Sequence, residues 1–219
     1  GEKTLLYRIG AAQPLAEALR FDNRAVRYSA AIAIASAGPQ EKFAESKLVI
    51  ANLAQAIRQT GENDGADGGL WNEKIANTYA VRAGEVMLKL AESRNRVIDL
   101  SLALTYLVAA TNDKRPEVQI LAGNVLAYLD SPDAQRAIAA MALTASHSLE
   151  VRVEAFGSLA TSAKVNANML VNEMIDGVYA LISSDQTEPG LRRAAAAAYG
   201  ALNLPSQKVK DLILDQAKK

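Results

Sequence analysis

The sequence predicts an all-α chain, a right-handed α-solenoid of about five helix pairs plus a C-terminal capping helix, on three observations. Half of its 219 residues are hydrophobic, yet only 5% are aromatic. Alanine and leucine recur throughout, which favours closely packed helices over a β-sandwich, where Val, Ile, Thr and aromatic residues dominate. Most tellingly, an aliphatic residue, an alanine and a further apolar residue recur at offsets of four and eight in four gapless copies.

Those copies are residues 23–34 (NRAVRYSAAIAI), 115–126 (RPEVQILAGNVL), 148–159 (SLEVRVEAFGSL) and 188–199 (EPGLRRAAAAAY). The anchors are Val26, Val118, Val151 and Leu191, the alanines Ala30, Ala122, Ala155 and Ala195, and the last members Ile34, Leu126, Leu159 and Tyr199. Offsets of four and eight place the three on one helical stripe, and the small middle residue lets a neighbouring helix come close. A fifth, weaker copy anchors on Tyr79, with Ala83, Val86 and Leu90 in phase. Anchors 118 and 151 are 33 residues apart, 151 and 191 are 40, and 79 and 118 are 39, all near the period of a helix pair. The gap from 26 to 79 is 53, one loop too long.

The first helix of each pair falls between these segments. Residues 14–19 form the first, Val49, Leu53 and Ile57 mark the second, and Val97, Leu100, Leu104 and Leu107 mark the third. Ser131-Pro132-Asp133, an N-cap with proline in the first turn, opens the fourth. Leu170, Met174, Val178 and Leu181 mark the fifth. Gly38-Pro39, Asn112-Asp113 and residues 183–190 punctuate the turns. Leu204-Pro205-Ser206 starts a last helix with Val209, Leu212 and Ile213 inward and lysines outward, the polar outer face that a terminal helix needs. The surplus in the long gap is residues 60–69 (TGENDGADGG), too rich in Gly, Asp and Asn to continue a helix and expected to be a flexible loop.

With the polar residue that follows each anchor (Arg27, Gln119, Arg152, Arg192), the copies read V-R-x-x-A-x-x-x-L, which resembles the second helix of a HEAT repeat in the HEAT/armadillo superfamily. The resemblance implies one HEAT-repeat domain over residues 1–219. It also implies that the arginines and the turn acids Asp22 and Asp113 serve a structural ladder between repeats, the guanidinium fork binding carboxylates and helix-end carbonyls. In such arrays the second helices line a concave groove. Positions two, three, six and ten after the anchors then supply Tyr28, Asn124, Tyr128, Glu154, Thr161 and Arg193 as the candidate protein-binding residues. Tyr28 and Tyr128 fall off the buried stripe and are the leading contact candidates, whereas Tyr79 and Tyr199 fall on it. The segments RAVRYSAAIAIA and YAVRAGEVMLKLA are similar to bacterial HEAT-repeat proteins in which extra sequence separates the two. That likeness makes residues 60–70 a domain-insertion point or an engineered junction. Gly1 without an initiator Met reads as the start of a piece of a larger protein.

Composition narrows the chemistry. Lys plus Arg and Asp plus Glu are both 24, so no net charge draws the chain to nucleic acid or anionic lipid. Without cysteine, disulfides and thiolate metal sites are excluded and the compartment stays open. No apolar run reaches the length of a membrane span. His147, the only histidine, lies in a turn between Ser146 and Ser148 and has no clustered ligand or nucleophile, so solvent exposure is expected. Glu62, Asp64 and Asp67 lack the alternate spacing and distal Glu of a calcium loop. No catalytic residue, cofactor or metal is assigned, and a protein or peptide is the expected partner. Two rivals remain: an enzyme like the HEAT-type DNA glycosylases or phycobilin lyases, disfavoured by neutral charge and a lone Trp71 beside a loop, and a structural spacer carrying an inserted domain.

Overall fold

A computed structural model describes residues 13–62 and 70–204, and every regular element among them is helical. The internal contacts cluster into two compact units, Gly1–Asp113 and Lys114–Lys219. The expected capping helix after Leu204 and the loop acids Asp64 and Asp67 lie outside the described residues.

Unit 1 contains α1 (Pro14–Ala18), α2 (Arg24–Ser36), α3 (Ser46–Ile57), α4 (Glu73–Glu92), a 3-10 turn (Leu100–Ala103) and α5 (Leu104–Ala110). Asn23 caps α2, its side-chain oxygen accepting from the amides of Ala25 at 2.9 Å and Val26 at 3.3 Å, and Asn72 caps α4 through Ile75 at 3.0 Å. The far end of α4 closes by a pair of bonds from Arg94 N to Ala91 O and from Asn95 N to Leu90 O, with Arg94 left-handed at φ 50°. Helix α3 packs against α2, α4, α5 and the 3-10 turn. It therefore buries Val49, Ile50, Leu53, Ala54, Ala56 and Ile57 together, which uses the three residues expected of it and more. Asn52 is buried among them because its amide donates to the carbonyls of Leu19 and Leu48. The third pair's first helix is irregular: Leu100 and Leu107 are buried as expected, but the segment starts as a 3-10 turn capped by Asp99, and Val97 precedes it.

Unit 2 contains α6 (Pro116–Leu126), α7 (Pro132–Leu143), α8 (Leu149–Asn166), α9 (Asn172–Ser183) and α10 (Pro189–Ala201). Helix α8 packs on both α6 and α10, while α7 packs on α9. The unit is thus two layers, α6, α8 and α10 in one and α7 and α9 in the other, with α7 against α8 and α9 against α10 joining them. Ser131 opens α7, its hydroxyl accepting from Ala134 N, as the sequence predicts. In α9 the register differs from expectation. Its buried residues are Ile175, Val178 and Ile182, one position on from Met174 and Leu181, and Leu170 lies ahead of the helix. An apolar run with two adjacent candidates at each turn fits either register, and packing against α10 and α7 selects this one.

The repeating stripe is buried in unit 2: Val118, Val151 and Leu191, the three alanines, and Leu126, Leu159 and Tyr199 are all core residues. Unit 1 breaks the rule at its anchor. Ala30 and Ile34 are buried, but Val26 is 37% exposed, and Tyr28 at 1% exposure takes the buried place instead. Only the five-residue α1 precedes α2 among the described residues, too short to cover its first turn.

Candidate functional site

The α6–α8–α10 layer of unit 2 positions most of the residues that the sequence singles out. On α8 the buried residues leave Glu150, Glu154, Gly157 and Lys164 exposed and Thr161 half-buried, spaced along one outward stripe. Asn124 on α6 is half-buried, its side-chain oxygen accepting from Ser158 Oγ of α8 at 2.7 Å, so it braces two helices as well as facing outward. Thr161 donates to Gly157 O at 3.1 Å. Tyr128 is half-buried just beyond the end of α6, and Arg193 is exposed on α10. Near Arg193, the Glu188 side chain caps α10 by accepting from Leu191 N at 2.8 Å. The amides of Gly190 and Leu191 hold its carboxyl below the ordinary glutamate range, and the Arg193 charge lowers it further.

Tyr28 is buried, not accessible. It belongs to unit 1 and is enclosed there by Trp71 at 6.2 Å and Tyr79 at 5.8 Å between ring centroids, both edge-on. Trp71 and Tyr79 stack at 5.7 Å, and the Arg24 guanidinium sits 4.8 Å above the Trp71 ring. The expectation of an accessible Tyr28 fails because Trp71, contributed from beyond the 60–69 segment, covers its ring. Tyr79 is half-buried on the same cluster, its hydroxyl within 2.9 Å of Ser29 Oγ and donating to Ala25 O at 3.2 Å.

The residues after the anchors bind carbonyls and turns. Arg27 donates to Phe21 O and Asp22 O at 2.7 and 2.6 Å, Arg152 to Ala142 O in the last turn of α7 at 3.0 Å, and Arg192 pairs with Asp185 at 3.7 Å. Gln119 replaces arginine in the second copy, and its amide lies 3.2 Å from Nδ1 of His147, which is half-buried by this partnership instead of free in solvent.

Sequence reasoning missed Gln135. Its fully buried amide donates to Ser162 Oγ at 3.1 Å and Ala167 O at 2.9 Å and accepts from Met169 N. These bonds hold the turn after α8, where Ala167 adopts φ 62°, ψ −178°, a conformation suited to glycine. Asn166 secures the same end by donating to Ala127 O and Leu129 O. Beside this turn an open crevice of about 600 Å³ is lined by Asp130, Lys164, Asn166, Asn168 and Asn203, with no histidine and no nucleophile–base pair among its described walls. Among the described residues no group of three His, Cys, Asp or Glu is placed to hold a metal, and no helix is long and apolar enough to cross a membrane.

No protein-family model matches the chain, and no curated protein matches it. Among solved structures it is similar to an engineered all-helical protein from the Northeast Structural Genomics Consortium, at a TM-score of 0.52 and 18% identity over 95% of this chain and 86% of that one. A second engineered protein from the same consortium aligns at a TM-score of 0.39 and 20% identity, over 92% of this chain and 60% of its own. The first likeness is one of fold alone.

Proposed function

We propose that this chain is a right-handed α-solenoid of HEAT-like helix pairs that serves as a non-catalytic scaffold, offering the α6–α8–α10 layer to a protein or peptide partner. The observation that carries the reading is the placement of α8: it packs on both layer neighbours yet keeps Glu150, Glu154, Gly157 and Thr161 outward. A layer built this way is what a stack of pairs requires, since each pair hides its apolar stripe only against the next. The face is polar, mixed in charge and studded with small residues, a surface suited to a helix or extended peptide and ill suited to a polyanion. Asn124, Tyr128, Glu154 and Arg193 are its contact residues. Tyr28 is withdrawn from that set because it is buried.

The test is reversal of charge on neighbouring helices. Peptides selected for binding to the parent chain are measured against a Glu154→Arg, Arg193→Glu double variant, both positions being exposed. Loss of a central contact is worth 2 kcal/mol or more, roughly thirtyfold in Kd, so binders to this face lose at least about tenfold. Unchanged affinity across the selected set rejects the assignment of this face.

A further inference from the structure

We infer that unit 1 carries a non-covalent clasp at the base of residues 62–70, which makes backbone continuity through that segment dispensable to the fold. The clasp joins the end of α3 to the start of α4. Trp71 Nε1 donates to Thr60 O at 2.8 Å, and the indole is buried. On the other strand of the neck, Gly61 lies so close to the first turn of α4 that a Cβ there would come within 2.7 Å of Glu73 N. A backbone neighbour cannot move aside as a side-chain tip can, so glycine is required.

Three further contacts fix the indole to the core of unit 1. Tyr28 of α2 meets its ring edge-on, Tyr79 of α4 stacks on it, and Arg24 of α2 covers it while donating to Gln59 Oε1 at 3.1 Å, just past α3. Helices α2, α3 and α4 therefore converge on one side chain. Leu70, the residue before it, is 77% exposed and contributes nothing to that core. The contacts that tie the end of α3 to α2 and to the start of α4, made by Gln59, Thr60 and Gly61 with Arg24, Trp71 and Glu73, all come from residues outside 63–69.

The experiment replaces residues 63–69 with a cleavage site for a sequence-specific protease and cuts the purified protein to completion. Trp71 is the only tryptophan, so intrinsic emission reports the clasp directly. The two fragments are expected to co-elute on size-exclusion chromatography with the emission maximum unshifted. Separation of the fragments in native buffer, or emission moved to the range of solvent-exposed tryptophan, overturns the inference. A second variant separates the clasp from helix packing in general. Trp71→Phe keeps a ring in the cluster but removes the donor to Thr60 O, and loss of one buried hydrogen bond is expected to raise the fragment Kd about tenfold. An identical Kd for the Phe and Trp fragments also overturns it, since the carbonyl bond then contributes nothing to the join.

Discussion

Helices α2 and α8 bear the same written pattern and fold under different authorities. In α8 the stripe of Val151, Ala155 and Leu159 is buried as the spacing dictates, and Arg152 reaches to Ala142 O on the preceding helix. In α2 the stripe holds only at Ala30 and Ile34, the anchor Val26 is exposed, and Arg27 binds the carbonyls of its own turn. The centre of α2 is instead Tyr28, seated in a cluster whose other rings arrive from Trp71 and Tyr79. Periodicity governs burial where helices of similar length flank both sides. Where a large ring from elsewhere in the chain packs on a helix, a residue off the stripe joins the core as well, as Tyr28 does beside Ala30 and Ile34, because an aromatic contact buries a large area.

The largest test of this contrast is the pair Tyr28→Ala and Tyr128→Ala. Truncating a large ring in a packed core leaves a cavity and costs about 3–5 kcal/mol. Truncating half-buried Tyr128 costs under about 1 kcal/mol. Thermal and urea denaturation of the two variants should therefore differ several-fold in destabilisation. Comparable losses would show that the aromatic cluster does not organise α2.

A sharper version uses the anchors themselves. Val118→Ala, at a fully buried position in α6, is expected to cost about 2 kcal/mol, whereas Val26→Ala, at the equivalent position in α2, costs about 0.5 kcal/mol or less. The two substitutions delete the same atoms, so the difference in urea midpoint at constant slope reads burial alone. Equal midpoints would restore Val26 to the core.

How much of this was legible depends on where the determining partner lies. The stripe of unit 2, its alanines, the proline-led start of α7 and the buried face of α3 follow from spacing within one helix, and all are present. The buried register of α9 was not legible, because Met174 and Ile175, then Leu181 and Ile182, offer equal choices until α10 and α7 pack on them. Gln135 was missed for a related reason: a glutamine on a helix reads as surface until the carbonyl of Ala167 and the amide of Met169 are brought to it. Of the candidate site, Asn124, Glu154 and Arg193 fall on three neighbouring helices of one layer as their offsets imply, and Tyr28 does not, since no offset rule registers a tryptophan contributed from across a loop.

The smallest expected effect is also the one that joins stability to the proposed function. Gly157 lies mid-helix in α8, exposed, and a Cβ there would meet nothing within 4 Å among the described residues. Glycine in such a place costs roughly 1 kcal/mol relative to alanine through backbone entropy, and here no close neighbour among the described residues demands it. Gly157→Ala should therefore raise the melting temperature by about 2–4 °C for a chain of this size. The buried glycine of α6 behaves differently: a Cβ on Gly123 would come within 2.6 Å of the Met141 methyl, so Gly123→Ala should gain less or lose stability. If the outward stripe of α8 receives a partner at close range, the methyl that stabilises the free protein must weaken the complex, and the same variant should show a higher melting temperature with a larger Kd. A rise in stability with unchanged affinity would confine the partner to other parts of the layer, while a fall in stability would mean that the space above Gly157 is filled in solution by the protein itself.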